Sequence, residues 1–427
     1  MIITVVIKII KEYIDFVKPL RVIIGSYIFD LWSALCFLIM TPMRILVAPQ
    51  EFKGSLSARQ AAEAIGRGLR RTLPDAEIDL LPLADGGPGT VDALVEATRG
   101  RFVSTEAHDP LGRPLRARWG VLGGREASAA IIEMAAASGL ELLGHEERDP
   151  LRTSTFGTGE LLRAALTAGH RRVIVGVGGS ATNDGGAGLA QALGARLLAA
   201  GGAELPAGGA ALARLTRIDV SALDRRLEDS EVVVATDVNN PLCGPQGASM
   251  VYSAQKGASE PVARELDAAL AHYAEIVRRD VGVDVADVPG AGAAGGLGAG
   301  LIAFCGARVQ PGFEVVAEAV GLVERLRRAD VVVTGEGRLD RQSAFGKTTV
   351  GVARYAREAG KPVVALAGSV EGGTSGAPAR SFDAVFALTP DLAEEEDAMA
   401  RAADLLSRAA ATAGTWVAER EPGEHDR

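Results

Sequence analysis

Three clusters of glycines and small polar residues follow predicted strands, and each combines residue types that bind anions or move protons. They read PQEFKGSLSA at 49–58, LADGGPGT at 83–90 and VGVGGSATNDGGAG at 175–188. Glycine lets backbone N–H groups approach a phosphate closely, because a Cβ atom would hold the backbone away. These clusters are therefore candidate sites for an anionic ligand.

The first two clusters each place a candidate charged side chain shortly before a predicted helix. Lys53 precedes Ser55 and Ser57, either of which can cap the helix that follows. Asp85 could act as a base or reach a metal ion. It is followed by the turn and helix residues Gly86, Gly87 and Thr90. Both patterns also fit ordinary structure, namely a capped helix with a solvated lysine and an Asp-Gly turn.

The third cluster matches a dinucleotide-binding fingerprint only in part. Gly176-x-Gly178-x-x-Ala181 follows a strand, but positions 190–203 contain no acid that could bind ribose hydroxyls, which disfavours NAD. The loop nevertheless concentrates small hydrogen-bonding groups and glycines: Gly178, Gly179, Ser180, Thr182, Asn183 and Asp184. That combination favours a phosphate-binding loop.

Acids also follow two later strands. Asp237 comes after EVVVAT. A strand over 330–334 is predicted to run into a turn at Gly335 and Gly337, and Glu336 and Asp340 flank Arg338 there. Acids beside a phosphate commonly bind Mg²⁺ or orient a nucleophile. Each of these acids alone also fits an ion-paired loop residue.

A Gly-Lys-Thr tripeptide at 346–348 imitates the end of a P-loop. The motif needs a glycine five residues earlier, where Arg341 stands, so the P-loop interpretation fails. Lys347 stays a candidate point charge for an anion.

Composition excludes several classes of protein. A chain of 427 residues with 4% aromatic and 23% charged residues is typical of an α/β protein of two domains. The net charge of -9 disfavours nucleic acid and anionic membranes as partners. Three separated cysteines and five scattered histidines give no zinc site, disulfide framework or catalytic triad, and a reducing cytoplasm fits.

The order of apolar runs predicts the architecture. Short apolar strands alternate with helices, which indicates parallel sheets covered on both faces. Residues 101–125 alternate around Asp109-Pro110 and predict an antiparallel hairpin at the entrance to a second domain. The glycine-rich stretch 287–301 predicts close backbone packing at a hinge.

Residues 1–42 differ in composition from the rest. Ten isoleucines accompany a single alanine there, and Arg21 and Asp30 interrupt the apolar run. A membrane anchor and a secretory signal are weaker interpretations than a translation start at Met43, with residues 1–42 read from upstream of it.

Nine ordered blocks resemble those of the bacterial glycerate kinase family, type I. They are KGSLSA (53–58), ADGGPGT (84–90), DPLGRP (109–114), IIEMAAASGLELL (131–143), TSTFGTGELLRAAL (153–166), GVGGSATNDGGAG (176–188), TDVNNPLCGPQGAS (236–249), PGAGAAGGLGAGL (289–301) and TGEGRLDRQSAFGKTTVGVA (334–353). The resemblance implies an ATP-dependent kinase that phosphorylates D-glycerate, with the 2-phosphate favoured. It implies a doubly wound α/β domain of residues 43–105 and 295–415 around an inserted α/β domain of 106–294, with a disordered tail at 416–427. A cytoplasmic homodimer is a further expectation.

If the chain is such a kinase, the types of these residues suggest where the ligands bind. Mg-ATP and D-glycerate are expected between the domains, with Lys53 and Arg338 clamping the carboxylate or the transferred phosphate and the 176–188 loop holding the nucleotide. Asp85 is the expected base, and Asp184 or Asp237 the Mg²⁺ ligand. Ser55, Glu336 and Lys347 complete the predicted binding residues.

Two departures leave alternatives open. Gln50 and Glu51 stand where the family has Asp-Ser, and Pro88 stands where it has Glu. A ligand-binding or regulatory protein on the same fold, or a kinase for another sugar acid, therefore remains an alternative.

Overall fold

The computed structural model describes residues 42–340, 348–374, 376–388 and 399–419, so Lys347 and residues 1–41 lie outside the described chain. The strands are β1 Arg44–Val47, β2 Glu77–Leu80, β3 Arg101–His108, β4 Pro114–Val121, β5 Ala129–Glu133, β6 Arg172–Gly176, β7 Arg196–Ala199, β8 Leu215–Asp219, β9 Glu231–Ala235, β10 Arg308–Gln310, β11 Val331–Leu339, β12 Val363–Val370 and β13 Ala384–Ala387. The α-helices are α1 Ala58–Thr72, α2 Thr90–Ala97, α3 Ala135–Ser138, α4 Phe156–Thr167, α5 Ala187–Ala192, α6 Ala248–Tyr252, α7 Glu260–Asp280, α8 Ala293–Cys305, α9 Gly312–Ala319, α10 Leu322–Arg328, α11 Thr348–Glu358 and α12 Ala402–Ala418.

The strands form two large sheets, which confirms the predicted α/β class. The first sheet has the order β13-β12-β11-β1-β2, and β1, β11, β12 and β13 pair in parallel. The second has the order β10-β9-β6-β5-β4-β3. Its β10, β9, β6 and β5 pair in parallel, whereas β4 is antiparallel to both β5 and β3. The hairpin predicted over 101–125 is therefore confirmed.

Both faces of the second sheet are buried, which explains its uninterrupted apolar strands. Alternate side chains of a strand point to opposite faces. Along β5, Ile132 packs into one core cluster with α4 and α7, whereas Ile131 packs into a second cluster that also contains first-sheet residues such as Val332 and Ala365. The two sheets thus share a continuous hydrophobic core.

The first sheet takes strands from both ends of the described chain, and the second takes strands between 101 and 310. β3 runs across the proposed boundary at 105/106, and β10 lies beyond 294. Apart from Glu77 at the start of β2, the strands of both sheets lie in one compact unit. The domain boundaries themselves stay a prediction.

Helix ends follow local sequence signals. Ser57, and not Ser55, caps α1, because its hydroxyl accepts the Gln60 N–H at 3.2 Å while the Gln60 side chain accepts the Ser57 N–H at 2.9 Å. The last helix, α12, runs to Ala418, so the first residues of the predicted 416–427 tail are helical, with Val417 buried. None of the helices in the described part of the chain combines the length and hydropathy needed to cross a membrane.

Close backbone packing in the glycine-rich stretch is confirmed. A Cβ atom on Gly300 of α8 would lie 2.7 Å from the Gly186 Cα, and one on Gly295 would lie 2.0 Å from the Thr182 carbonyl oxygen. The absence of side chains at these glycines lets α8 pack closely against the 175–188 loop. The predicted hinge at this stretch is not tested by these contacts.

Candidate active site

Strand β11 continues where a turn was predicted. Instead of turning at Gly335, it pairs with β12 as far as Leu339 opposite Val370. A Cβ on Gly335 would lie 2.3 Å from the Leu366 carbonyl oxygen, and one on Gly337 would lie 3.2 Å from the Lys53 backbone nitrogen. The glycines therefore permit close approach of neighbouring chains. Because alternate residues of a strand share a face, the longer strand puts Glu336 and Arg338 on one side.

A cavity of about 540 Å³ opens at the carboxyl ends of the first-sheet strands. Six of the predicted site residues line it together: Lys53, Ser55, Asp85, Glu336, Arg338 and Asp340. Gln50, Glu51, Ser369 and Met399 also line it. Ligands of open α/β sheets bind beyond the carboxyl ends of the strands, so this cavity is the candidate active site.

The cavity combines two exposed cations with carboxylates. Arg338 lies 3.9 Å from Asp340, and Lys53 follows Phe52 on the loop after β1. Partial desolvation, then the charge of Asp85, raises the pKa of Glu51, and Lys53 opposes that rise. The cations suit an anionic substrate, and the carboxylates suit a cation bound with it.

Asp85 is held by two hydrogen bonds from different loops. The Gln50 side-chain Nε2 donates to Asp85 Oδ2 at 2.9 Å, and the Gly87 N–H donates to Oδ1 at 3.1 Å. Asp85 is half-buried at the cavity wall. Its carboxylate therefore has a defined orientation toward a ligand.

The loop that carries Asp85 packs against the third glycine cluster, and this packing explains several predicted glycines. Gly86 has φ +89°, and a Cβ there would lie 2.9 Å from the Ala235 carbonyl oxygen. A Cβ on Gly178 would lie 2.8 Å from the Gly87 Cα, and one on Gly179 would lie 3.3 Å from Pro88 Cγ. The Thr90 hydroxyl is buried and donates to the Gly87 carbonyl at 2.6 Å. These residues shape the loops through their backbones.

The side chains of Ser180, Thr182, Asn183 and Asp184 are buried, and they line neither the large cavity nor a smaller one beside it. Asn183 Nδ2 donates to Ser249 Oγ at 2.9 Å. Asp184 accepts hydrogen bonds from the backbone N–H groups of Thr155, Gly186 and Gly188 and from the Thr155 hydroxyl. The geometry thus supports a structural role for Asp184 and gives no support to its predicted catalytic or Mg²⁺-binding role, because its oxygens are used inside the fold.

A buried lysine beside this loop is absent from the predicted site. Lys256 is 1% exposed, and its Nζ donates to the Thr182 carbonyl oxygen at 2.7 Å. Burial lowers the pKa of Lys256 to about 7, and the charge of Asp184 opposes this change. Burial also raises the pKa of Asp184, against its hydrogen bonds. The hydrogen bond from Lys256 to the Thr182 carbonyl ties the loop to the segment after α6.

Asp237 lies near Asp85 but outside the cavity lining. It is exposed, and its Oδ1 accepts the Gly312 N–H at 2.9 Å at the start of α9. Gly312 has no room for a side chain, since a Cβ would lie 1.8 Å from the Asp85 carbonyl oxygen. The role of Asp237 as an Mg²⁺ ligand stays a prediction.

Glu133 was missed by sequence reasoning. It ends β5, and its Oε1 accepts the Val91 N–H of α2 at 2.7 Å. Burial raises its pKa, while the backbone N–H groups of Val91 and Gly89 lower it. An acid closing the apolar run Ile131-Ile132 was the available signal. Glu133 fixes α2, and with it the Asp85 loop.

Metal binding depends on the ligand as much as on the protein. Within the described residues, no three His, Cys, Asp or Glu side chains are grouped to hold a metal ion by themselves. Mg²⁺ commonly binds through one or two carboxylates together with substrate phosphates and waters. The carboxylates Asp85, Glu336 and Asp340 in the cavity fit that mode.

A parallel α/β fold with a cavity of this charge pattern at its strand ends is the arrangement of an α/β phosphotransferase. The chain matches the model of the glycerate kinase family over residues 45–418. It is 48% identical over 375 residues to a glycerate kinase of Halalkalibacterium halodurans, covering 87% of this chain and 98% of the relative. It is also 48% identical over 367 residues to the glycerate 2-kinase of Escherichia coli K12, covering 86% and 96%.

A solved structure is similar throughout. The crystal structure of a "putative glycerate kinase 2" from Salmonella typhimurium LT2 superposes with a TM-score of 0.80 at 48% identity, covering 88% of this chain and 99% of the other. This chain belongs to the glycerate kinase family, as its sequence motifs predicted.

Proposed function

We propose that this protein transfers the γ-phosphoryl group of ATP to D-glycerate, giving 2-phosphoglycerate and ADP. The observation that carries the proposal is the single cavity that gathers Lys53, Ser55, Asp85, Glu336, Arg338 and Asp340. The identity to glycerate kinases, and to a relative named glycerate 2-kinase, supports the substrate and the acceptor hydroxyl.

The residues divide the work by charge. Lys53 and Arg338 neutralise the glycerate carboxylate and the transferred phosphate. The acceptor hydroxyl oxygen bonds to the γ-phosphorus, the bond from that phosphorus to the β–γ bridging oxygen breaks, and ADP leaves with the electron pair. Asp85, oriented by Gln50 and Gly87, accepts the hydroxyl proton.

Mg²⁺ would be held by Glu336 or Asp340 together with the phosphates, and it supplies charge neutralisation there. These two acids stand beside Arg338 on the cavity wall, whereas Asp184 is enclosed by hydrogen bonds. We therefore place the ion on the cavity side. The predicted cytoplasmic location and homodimeric state stay predictions.

A coupled assay for ADP with D-glycerate tests the activity, and ³¹P and ¹³C NMR of the product tests the position of the phosphate. Turnover of D-glycerate with phosphate on the 2-oxygen is expected. A phosphate on the 3-oxygen would correct the acceptor hydroxyl, and turnover of another sugar acid alone would remove the substrate. ATP binding without turnover of any hydroxy acid would favour a regulatory protein.

Replacing Asp85 by Asn tests the base. The amide keeps the shape but cannot accept the proton, so kcat is expected to fall roughly 10²- to 10⁴-fold with KM for D-glycerate little changed. Asp229→Asn is the matched control, because Asp229 is exposed just before β9 and lines neither this cavity nor the smaller one beside it. An unchanged kcat in Asp85→Asn would remove the proposed base.

A further inference from the structure

Gln50 connects two loops of the candidate active site through both its backbone and its side chain. Its N–H donates to the Gly335 carbonyl of β11 at 2.8 Å, which fixes the residue at the end of β1. Its side-chain Nε2 then reaches the loop after β2 and donates to Asp85 Oδ2 at 2.9 Å. Gln50 therefore links β11, through its backbone N–H, to the proposed base, through its side-chain amide.

The Asp85 carboxylate is fixed at both oxygens, because the Gly87 N–H donates to Oδ1 at 3.1 Å. A carboxylate oxygen can accept a second hydrogen bond, so each oxygen keeps capacity for a ligand. The Gly87 bond comes from the backbone of the same loop. Among the described residues, Gln50 is thus the side chain whose hydrogen bond sets the angle of the carboxylate plane relative to β11.

Two cavities meet at this contact. Gln50, Glu51 and Asp85 line the cavity of about 540 Å³ and also a smaller one of about 230 Å³. The smaller cavity adds Asp92 and Glu96, and its Arg59 is already 2.9 Å from Glu96. Its acids would repel an anionic substrate, whereas the larger cavity carries Lys53 and Arg338. The orientation of Asp85 between the two cavities therefore matters.

The chemical type of residue 50 matters as much as its position. Glu51 already places a carboxylate near Asp85, and partial burial, followed by the charge of Asp85, raises the pKa of Glu51. A glutamate at 50, which matches glutamine in length, would place another carboxylate within hydrogen-bonding distance of Asp85, and two such groups share a proton instead of both ionising. A neutral amide donor avoids this competition.

We propose that Gln50 is a positioning residue, which holds the Asp85 carboxylate toward the reacting hydroxyl in the larger cavity and leaves it able to accept the proton. The inference rests on the proposed function, since it concerns the base of that reaction.

Two variants and a matched control test it. Gln50→Leu removes the donor at similar size, and kcat is expected to fall roughly five- to thirtyfold, the effect of one hydrogen bond, while KM for D-glycerate stays within about twofold. Gln50→Glu keeps the shape, and the pH below which kcat falls is expected to move upward. Gln246→Glu adds the same charge at an exposed position and should leave the pH profile unchanged.

The contact has a readout that needs no activity. The side-chain N–H resonances of Gln50, assigned by their loss in Gln50→Leu, should move in Asp85→Asn but not in Asp229→Asn, because Asp229 is exposed and lines neither cavity. The inference would be overturned if the Gln50 resonances did not move, or if both Gln50 variants kept the kcat and pH profile of the wild type. In either case, an active wild-type enzyme would still uphold the proposed function. An inactive wild-type enzyme with a moved Gln50 resonance would instead overturn the proposed function, and the positioning role with it.

Discussion

Two aspartates that follow similar strands differ in burial and in hydrogen-bond partners. Asp85 and Asp184 both stand in glycine-rich loops after strands, and the sequence predicts chemistry for both. Asp85 reaches the cavity wall, whereas Asp184 is 1% exposed and is enclosed by Thr155, Gly186 and Gly188. Burial and the hydrogen bonds from its own loop and from the distant Thr155 favour a structural role for Asp184, whereas Asp85 stays the proposed base.

Lys256 gives a stability prediction at this scale. Its pKa is lowered to about 7 by burial, so the folded protein releases this proton above pH 7 while the unfolded chain holds it to about pH 10.4. The unfolded state binds more protons in this window, so the free energy of unfolding rises with pH. Lys256→Met removes that contribution. The difference in unfolding free energy between the wild type and the variant should change by about 3 kcal/mol between pH 7 and 10.

Urea unfolding at several pH values measures this difference. Lys361→Met is the matched control, because Lys361 is only partly buried at the end of α11. If Lys256→Met shows the same pH dependence as the wild type and the control, the buried lysine does not titrate as described.

At the scale of elements, glycines allow particular helices, strands and loops to pack backbone against backbone. Helix α8 meets the 175–188 loop through glycines on both sides, and β11 meets both the Lys53 loop and β12 in the same way. Helix propensity alone would favour alanine over glycine by about 1 kcal/mol. Steric contact with backbone atoms opposes that preference here.

Gly300→Ala tests which effect wins. The new methyl group would lie 2.7 Å from the Gly186 Cα, and backbone cannot move aside as a side chain can. We expect a loss of roughly 1–3 kcal/mol of unfolding free energy, which exceeds the gain from propensity. The urea midpoint measures it. Gly144→Ala is the control, because its nearest neighbour atom would lie 3.7 Å away, and equal midpoints for both variants would contradict the close packing.

At the scale of the whole molecule, the site stands on two sheets that share a core. Alternate residues of β5, β6 and β9 pack into different clusters, and the cluster shared with the first sheet includes Ile131, Ile174 and Val233. The Asp85 loop lies against both the 176–180 loop and Ala235 of β9. Because this loop follows β2 of the first sheet and contacts residues at β6 and β9 of the second, the proposed base is supported from both sheets.

Metal removal gives a prediction for the whole molecule. Because the described residues form no metal-binding cluster of their own, Mg²⁺ is expected to bind with the nucleotide phosphates and to contribute little to folding. EDTA should abolish turnover, added Mg²⁺ should restore it, and the urea midpoint of the protein alone should stay unchanged. A lower midpoint in EDTA would instead reveal a structural metal ion.

By itself, the amino-acid sequence determined the α/β class, the 101–125 hairpin and the family, because periodicity, turn residues and ordered motifs are local features, and it left the helix cap open between Ser55 and Ser57. It also predicted that Lys53, Asp85, Glu336 and Arg338 follow strands. Tertiary structure alone decided that β11 continues past Gly335, that Asp184 and Lys256 are buried together, and that Gln50 contacts Asp85. Each of these depends on atoms from distant segments, since the direction of a loop side chain is set by what packs against it.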